Sequence, residues 1–227
     1  MPLLIDSHVH LDLEAFEADR AAVIARAGAA GVRQLVVPAT DADSWSRIHA
    51  LCGDRSDLHP AYGLHPLFMD RHRPEHLDRL GDWLGDHPAV AVGEIGLDHH
   101  DAGSDREQQQ RFFEIQLRLA RELELPVIVH ARQALEEASL ALRRCPGVRG
   151  VVHSFSGSEQ QAAKLWDIGF HLGIGGPVTY ERAQRLRRIV ADMPIQFLLL
   201  ESDAPDQPDA GHRGQRNEPA RLVEILR

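Results

Sequence analysis

Eight short apolar runs rich in β-branched residues recur along this chain, each separated from the next by a longer amphipathic stretch. This alternation constrains the fold more than any other feature. The runs lie at 3–6, 34–38, 59–64, 90–95, 126–130, 150–153, 170–175 and 196–201. Helical spacing covers 15–30, 43–53, 74–86, 106–124, 132–144, 158–168 and 181–192, with Ser158 opening one stretch and Gly31 and Gly169 closing two others. Strands that are apolar on both faces and alternate with helices predict a parallel sheet. Eight such units predict a closed (β/α)8 TIM barrel of the α/β class. An open dinucleotide-binding sheet would place Gly-x-Gly-x-x-Gly after its first strand, where His8-Val9-His10 stands instead. With 227 residues and no repeat or linker, a single domain over 1–227 is expected. After the eighth strand a long loop leads to Asn217-Glu218-Pro219, a helix start with only 220–227 to follow. A short eighth helix, or a missing closing segment, would leave an apolar seam exposed beside the first strand.

Composition narrows the setting. No apolar run approaches the roughly 20 residues of a membrane span. The start lacks the basic, apolar and small-residue zones of a signal peptide. Cys52 and Cys145 are far apart and have no metal-type spacing, so they read as reduced thiols of a cytoplasmic protein. The net charge is −9, from 34 acidic against 25 basic residues, which argues against holding long duplex nucleic acid by charge alone. Of 14 histidines, His49, His72, His76 and His87 sit among polar residues and read as surface.

The remaining polar residues are informative by position. His8 and His10 end the first strand, His65 follows the third, Glu94 ends the fourth, His130 the fifth and His153 the sixth; Glu201 and Asp203 end the eighth. In a parallel barrel that face forms one bowl holding the active site. So many ionisable groups gathered there need compensation, and divalent metal supplies it. His8, His10, Glu94, His130, His153 and Asp203 form the expected ligand set. Four imidazoles and two carboxylates suit zinc, manganese, cobalt or nickel better than calcium.

Glu94, as the only carboxylate at a central strand end, is expected to bridge two ions roughly 3.5–4 Å apart. Lys164, the only lysine, lies within a helix and is not available as a carboxylated bridge. Water between two ions has its pKa drawn from 15.7 towards about 7. Asp203 is the expected base that orients it and ferries its proton. The loop 154–158 offers backbone N–H groups at a helix start, with Gly157 permitting close approach, and reads equally as a phosphate site or as an ordinary N-cap. Arg132, two residues past His130, is expected on a phosphate oxygen in preference to pairing with a surface acid. Asp6 is read as a partner orienting an imidazole.

The motifs Asp6-Ser7-His8-Val9-His10-Leu11-Asp12, Gly63-Leu64-His65-Pro66, Gly93-Glu94-Ile95-Gly96-Leu97-Asp98, His153-Ser154-Phe155-Ser156-Gly157 and Glu201-Ser202-Asp203-Ala204-Pro205 together resemble the TatD family of metal-dependent hydrolases. The resemblance runs in register from residue 5 to about 219. It implies a metal-dependent phosphodiesterase of the amidohydrolase superfamily, with deoxyribonuclease activity and a nucleic acid or small phosphodiester substrate. It also implies two divalent ions (Zn, Mn, Mg, Co or Ni) on the six ligands above. His65 and Glu201 fall where the family serves a third ion or the phosphate. His99-His100 stands where an aromatic often follows Leu-Asp, and members usually continue some 30 residues further. The competing expectations are an ester or amide hydrolase, such as a D-aminoacyl-tRNA deacylase or lactonase, and a non-catalytic metal-binding protein.

Overall fold

Eight parallel strands in the order β1 to β8 make one sheet in the computed structural model, which describes residues 3–101 and 103–227. They are β1 (Leu4–Asp6), β2 (Val32–Pro38), β3 (Leu58–Tyr62), β4 (Ala91–Asp98), β5 (Val127–Arg132), β6 (Gly150–Val152), β7 (His171–Ile174) and β8 (Leu198–Leu200). The helices between them are α1 (Arg20–Ala29), α2 (Ser44–Cys52), α3 (Glu75–Asp86), α4 (Arg106–Glu122), α5 (Leu135–Arg144), α6 (Glu159–Trp166) and α7 (Gln184–Asp192), and α8 (Leu222–Leu226) follows β8. The sheet closes on itself beyond its last strand. Ser7 N–H donates to Leu200 O at 3.0 Å, Asp203 N–H donates to His8 O at 2.9 Å, and Val9 bridges Ala204. The (β/α)8 barrel read from the alternation is the fold.

Two apolar clusters hold it together. The larger lies between sheet and helices and contains Phe16, Trp45, Phe113 and Phe170, all buried. The smaller takes Val36, Ala61, Ala91, Ile128, Val151 and Leu199 from six different strands, so it fills the barrel's interior. Side chains two apart on a strand share a face. Two residues beyond Ile128, Val151 and Leu199 stand His130, His153 and Glu201. The polar bowl is therefore the next layer above the apolar plug. Small residues keep that layer open, since a Cβ at Gly63 would collide with the Gly93–Glu94 backbone. A Cβ at Gly173 would likewise strike the Glu201 carboxylate.

Several expected boundaries shift. The stretch 15–30 is not one helix, because a 3-10 turn at Glu14–Phe16 buries Phe16 before α1 begins at Arg20. Exposed Arg216 reaches back to Asp19 at 2.7 Å and fixes that break from outside. β4 runs to Asp98 rather than ending at residue 95. The eighth helix is short, as expected. Ile195 ahead of β8 is 74% exposed, Leu226 is 48% exposed, Leu3 and Ile5 at the start of β1 are exposed, and the three β8 leucines are only half-buried.

Candidate metal centre

Glu94 is the centre of the bowl, 1% exposed, and its two oxygens face different partners. Oε2 lies 3.1 Å from His8 Nε2 and 3.6 Å from His10 Nε2. Those two nitrogens are also 3.6 and 3.7 Å from Asp203 Oδ1. Oε1 lies 3.0 Å from His65 Nε2, 3.0 Å from His130 Nδ1 and 2.8 Å from His153 Nε2. All six expected ligands converge here. His65, expected to serve a third ion or the phosphate, stands beside Glu94 Oε1 with His130 and His153. Glu201 comes within reach of His8 and His153, the three donor atoms lying within 4.8 Å of one another.

The donor chemistry fits divalent cations. His8 Nε2 and His10 Nε2 face each other at 3.1 Å, and lone pairs that close repel unless a proton or a cation lies between them. Buried Glu201 Oε2 has no hydrogen-bond partner among the described residues. Such a pocket of imidazole and carboxylate suits first-row divalent metals.

Electrostatics point the same way. Burial alone would raise Glu94, but His153, His65 and His8 outweigh it and hold the carboxyl well below its usual range. Burial, with His153 alongside, pushes His8 down to about 4. His153 is held up to about 10 against its burial, by Glu94 first and then by Glu201 and Asp203. Burial pushes Glu201 up to about 8 despite His153 beside it. Glu94, Glu201 and Asp203 thus favour positive charge at the centre of the bowl, as the raised His153 shows.

Three supports lie outside the expected set. Asp98 Oδ2 sits 2.9 Å from His130 Nε2, so a second carboxylate ends β4 and Glu94 is not alone there. Both face inward because they lie four apart on one strand. His72 is buried rather than on the surface, its Nε2 2.9 Å from the His65 carbonyl. Its polar sequence neighbours concealed this. Gln207, in a loop with no motif to mark it, accepts from Ser154 Oγ at 2.8 Å while its amide nitrogen donates to Asp203 Oδ2.

Asp6 is corrected. Its Oδ1 accepts the backbone N–H groups of His8 (3.2 Å) and Ser202 (2.9 Å), not an imidazole. It fixes the chain path at both ends of the seam, and burial raises its pKa to about 7. The loop 154–158 is corrected in part. Ser158 and Gln161 form a capping box on α6, and Ser154 N–H donates to Glu201 Oε1 at 2.5 Å. The space beside Gly157 is filled by Leu135 and Phe155, so that glycine serves packing. Ser154 and Ser156 still line the cavity, as does Arg132, in an open bowl of about 640 Å³.

The family model described as TatD related DNase matches residues 5–227. The chain belongs to this family. The uncharacterized metal-dependent hydrolase YjjV of Escherichia coli is 42% identical over 225 residues, covering 98% of this chain and 87% of that relative. A crystal structure of that TatD homolog superposes with a TM-score of 0.94 at 40% identity, again covering 98% and 87% of the two chains. A TatD-family relative from Salmonella typhimurium, named a 3'-5' ssDNA/RNA exonuclease, is 33% identical over 236 residues, covering 98% and 88%. Among the described residues, no helix is long and apolar enough to cross a membrane.

Proposed function

We propose that the chain is a divalent-metal-dependent phosphodiesterase, a nuclease acting on single strands or strand ends, with residues 1–227 as one catalytic domain. The observation that carries this reading is Glu94, with His8 and His10 gathered at one oxygen and His65, His130 and His153 at the other, and with Asp203 Oδ1 facing the His8 and His10 nitrogens. His8, His10, Glu94, His130, His153 and Asp203 would hold two divalent ions, drawn from Zn, Mn, Mg, Co or Ni, with Glu94 serving both, and Glu201 with His8 and His153 would hold a third. Ions held there would supply Lewis acidity, acidifying water and drawing charge from a phosphoryl oxygen.

The chain's own groups set the rest. Asp203 orients the attacking water, takes its proton and passes it to the leaving oxygen. Gln207 anchors Oδ2 of Asp203 and so fixes the orientation of its carboxylate. Arg132, exposed at the cavity wall, holds a phosphate oxygen. Phe68 lines the same cavity with the Arg71 guanidinium 4.9 Å above its ring, and offers a base the aromatic face that His99-His100 does not. The exonuclease named among the relatives supports this choice of substrate.

The test is metal content, followed by assay of the metal-loaded protein on single-stranded DNA, bis-p-nitrophenyl phosphate and D-aminoacyl-tRNA. Two ions per chain and cleavage of the first two substrates are expected. Asp203→Asn lowers kcat by about 10²–10⁴-fold. Unchanged cleavage by Asp203→Asn removes that residue from its role. Hydrolysis of the aminoacyl ester alone moves the chain to the ester-hydrolase reading.

A further inference from the structure

Beside the cavity, on its β7 side, lies a basic surface. Pro177, Leu186 and Ser156 line the cavity's flank, and the chain that carries the first two continues outward through Tyr180, Arg182 and Arg185. Between 180 and 188 four arginines face a single acid, Glu181, in a chain whose net charge is −9. They divide by role. Arg187 donates to the carbonyls of Val178, Thr179 and Tyr180 at 2.8–3.0 Å and so holds the turn. Arg188 lies 3.8 Å from Glu159. Arg185 donates to Ser156 O at 2.9 Å, tying α7 to the loop over the site.

Arg182 and Arg213 are exposed and, among the described residues, have no carboxylate within 4.0 Å. Both flank Tyr180, with guanidinium carbons 5.9 and 4.4 Å from the ring centre. The Tyr180 hydroxyl donates to Pro208 O at 2.7 Å, which locks the ring to the loop carrying Gln207 and Asp203. The acids nearest in this loop are Asp206, exposed at the cavity mouth, and Asp209, already engaged with His212 at 2.8 Å.

Resting on the phosphodiesterase reading, we propose that Tyr180, Arg182, Arg185 and Arg213 form a docking track for single-stranded nucleic acid whose end occupies the cavity. Flexible cations along a rim neutralise successive phosphates, and a ring flanked by guanidinium planes stacks unpaired bases without regard to sequence. An anion without bases would use the charge and leave the ring idle. A duplex end cannot present a base to Tyr180 without fraying. The track therefore selects strands over both, in a chain too acidic elsewhere to hold nucleic acid by net charge.

Fluorescence anisotropy with a twelve-nucleotide oligothymidylate and this chain, chelated, tests the track apart from catalysis. The double variant Arg182→Ala/Arg213→Ala is expected to bind about tenfold or more weakly at low salt. Its slope of log affinity against log salt is expected to flatten by about 1.4, from two single-strand phosphate contacts at about 0.7 each. In the metal-loaded enzyme the same variant is expected to raise KM for the oligonucleotide relative to that for bis-p-nitrophenyl phosphate. Circular dichroism checks that these surface changes leave the fold intact.

Affinity and slope equal to wild type overturn the track, even if the protein proves a phosphodiesterase. Loss of binding in the variant supports it, even if the metal-loaded protein cleaves nothing. Equal affinity for duplex, or for an abasic strand of the same length, overturns the single-strand and stacking assignment.

Discussion

Asp98 accepts from His130 at 2.9 Å on one side of the ring, while the other ring nitrogen faces Glu94 at 3.0 Å. Burial opposes ionisation of Asp98, yet the His130 hydrogen bond outweighs it and brings its pKa to about 2. A carboxylate that holds an imidazole this way fixes its tautomer and raises its basicity. Asp98→Asn is therefore expected to weaken metal affinity by about 10–100-fold, read by competition with a chelating dye. Protons tell the same story. In metal-free protein Glu201 rises from 4.5 to about 8, His153 from 6.5 to about 10 and Asp6 from 3.8 to about 7. Each group binds its proton more tightly in the folded state, so stability falls as pH rises through these windows. His8, lowered to about 4, acts oppositely but only below its unfolded value near 6.5. The Tm of chelated protein is thus expected to fall between pH 6.5 and 8, by about 2–4 °C per kcal/mol lost, and divalent metal to flatten the fall. A Tm that rises over this interval would contradict the assigned directions.

The strands place the site by what they omit as much as by what they carry. Gly173 on β7 leaves the volume that the Glu201 carboxylate occupies from the next strand, and a methyl there would collide with it. Gly173→Ala is expected to destabilise by about 1–3 kcal/mol, measured by urea unfolding, and to weaken metal binding as Glu201 is displaced. The β8–α8 connection is held by Asn217, buried, whose Nδ2 donates to Ser202 O (2.8 Å) and Asp206 O (2.9 Å) on either side of Asp203. Losing those donors leaves buried carbonyls unpaired. Asn217→Ala is expected to cost about 1–3 kcal/mol and to loosen Asp203, read as a fall in kcat larger than the rise in KM.

At the scale of the whole barrel, cover is uneven. Leu172 on β7 is fully buried between sheet and helices, whereas the β8 leucines beside it are half-exposed and Ile195 stands in solvent. Contrasting substitutions expose the difference. Leu172→Ala is expected to cost about 2–5 kcal/mol by denaturant unfolding. Ile195→Thr is expected to change stability by less than about 0.5 kcal/mol while lowering hydrophobic-dye binding, since exposed apolar surface invites association. Equal losses at the two positions would mean that the β8 side is covered after all.

The fold and most of the site were legible in the chain itself. Eight apolar runs alternating with helical spacing dictate a parallel barrel, because each strand must bury both faces. Strand ends of a barrel share one bowl, so His8, His10, Glu94, His130, His153 and Asp203 could be grouped without knowing a distance. What the linear pattern does not contain is direction within that bowl. Only the closed structure decides that the two oxygens of Glu94 look opposite ways, that His65 stands with His130, and that Asp6 spends its carboxylate on two backbone amides. Only closure brings Asn217 and Gln207, from a loop without periodicity, against Asp203. Local spacing dictates which face a side chain takes, whereas its partner depends on where distant strands meet once the sheet has curled shut.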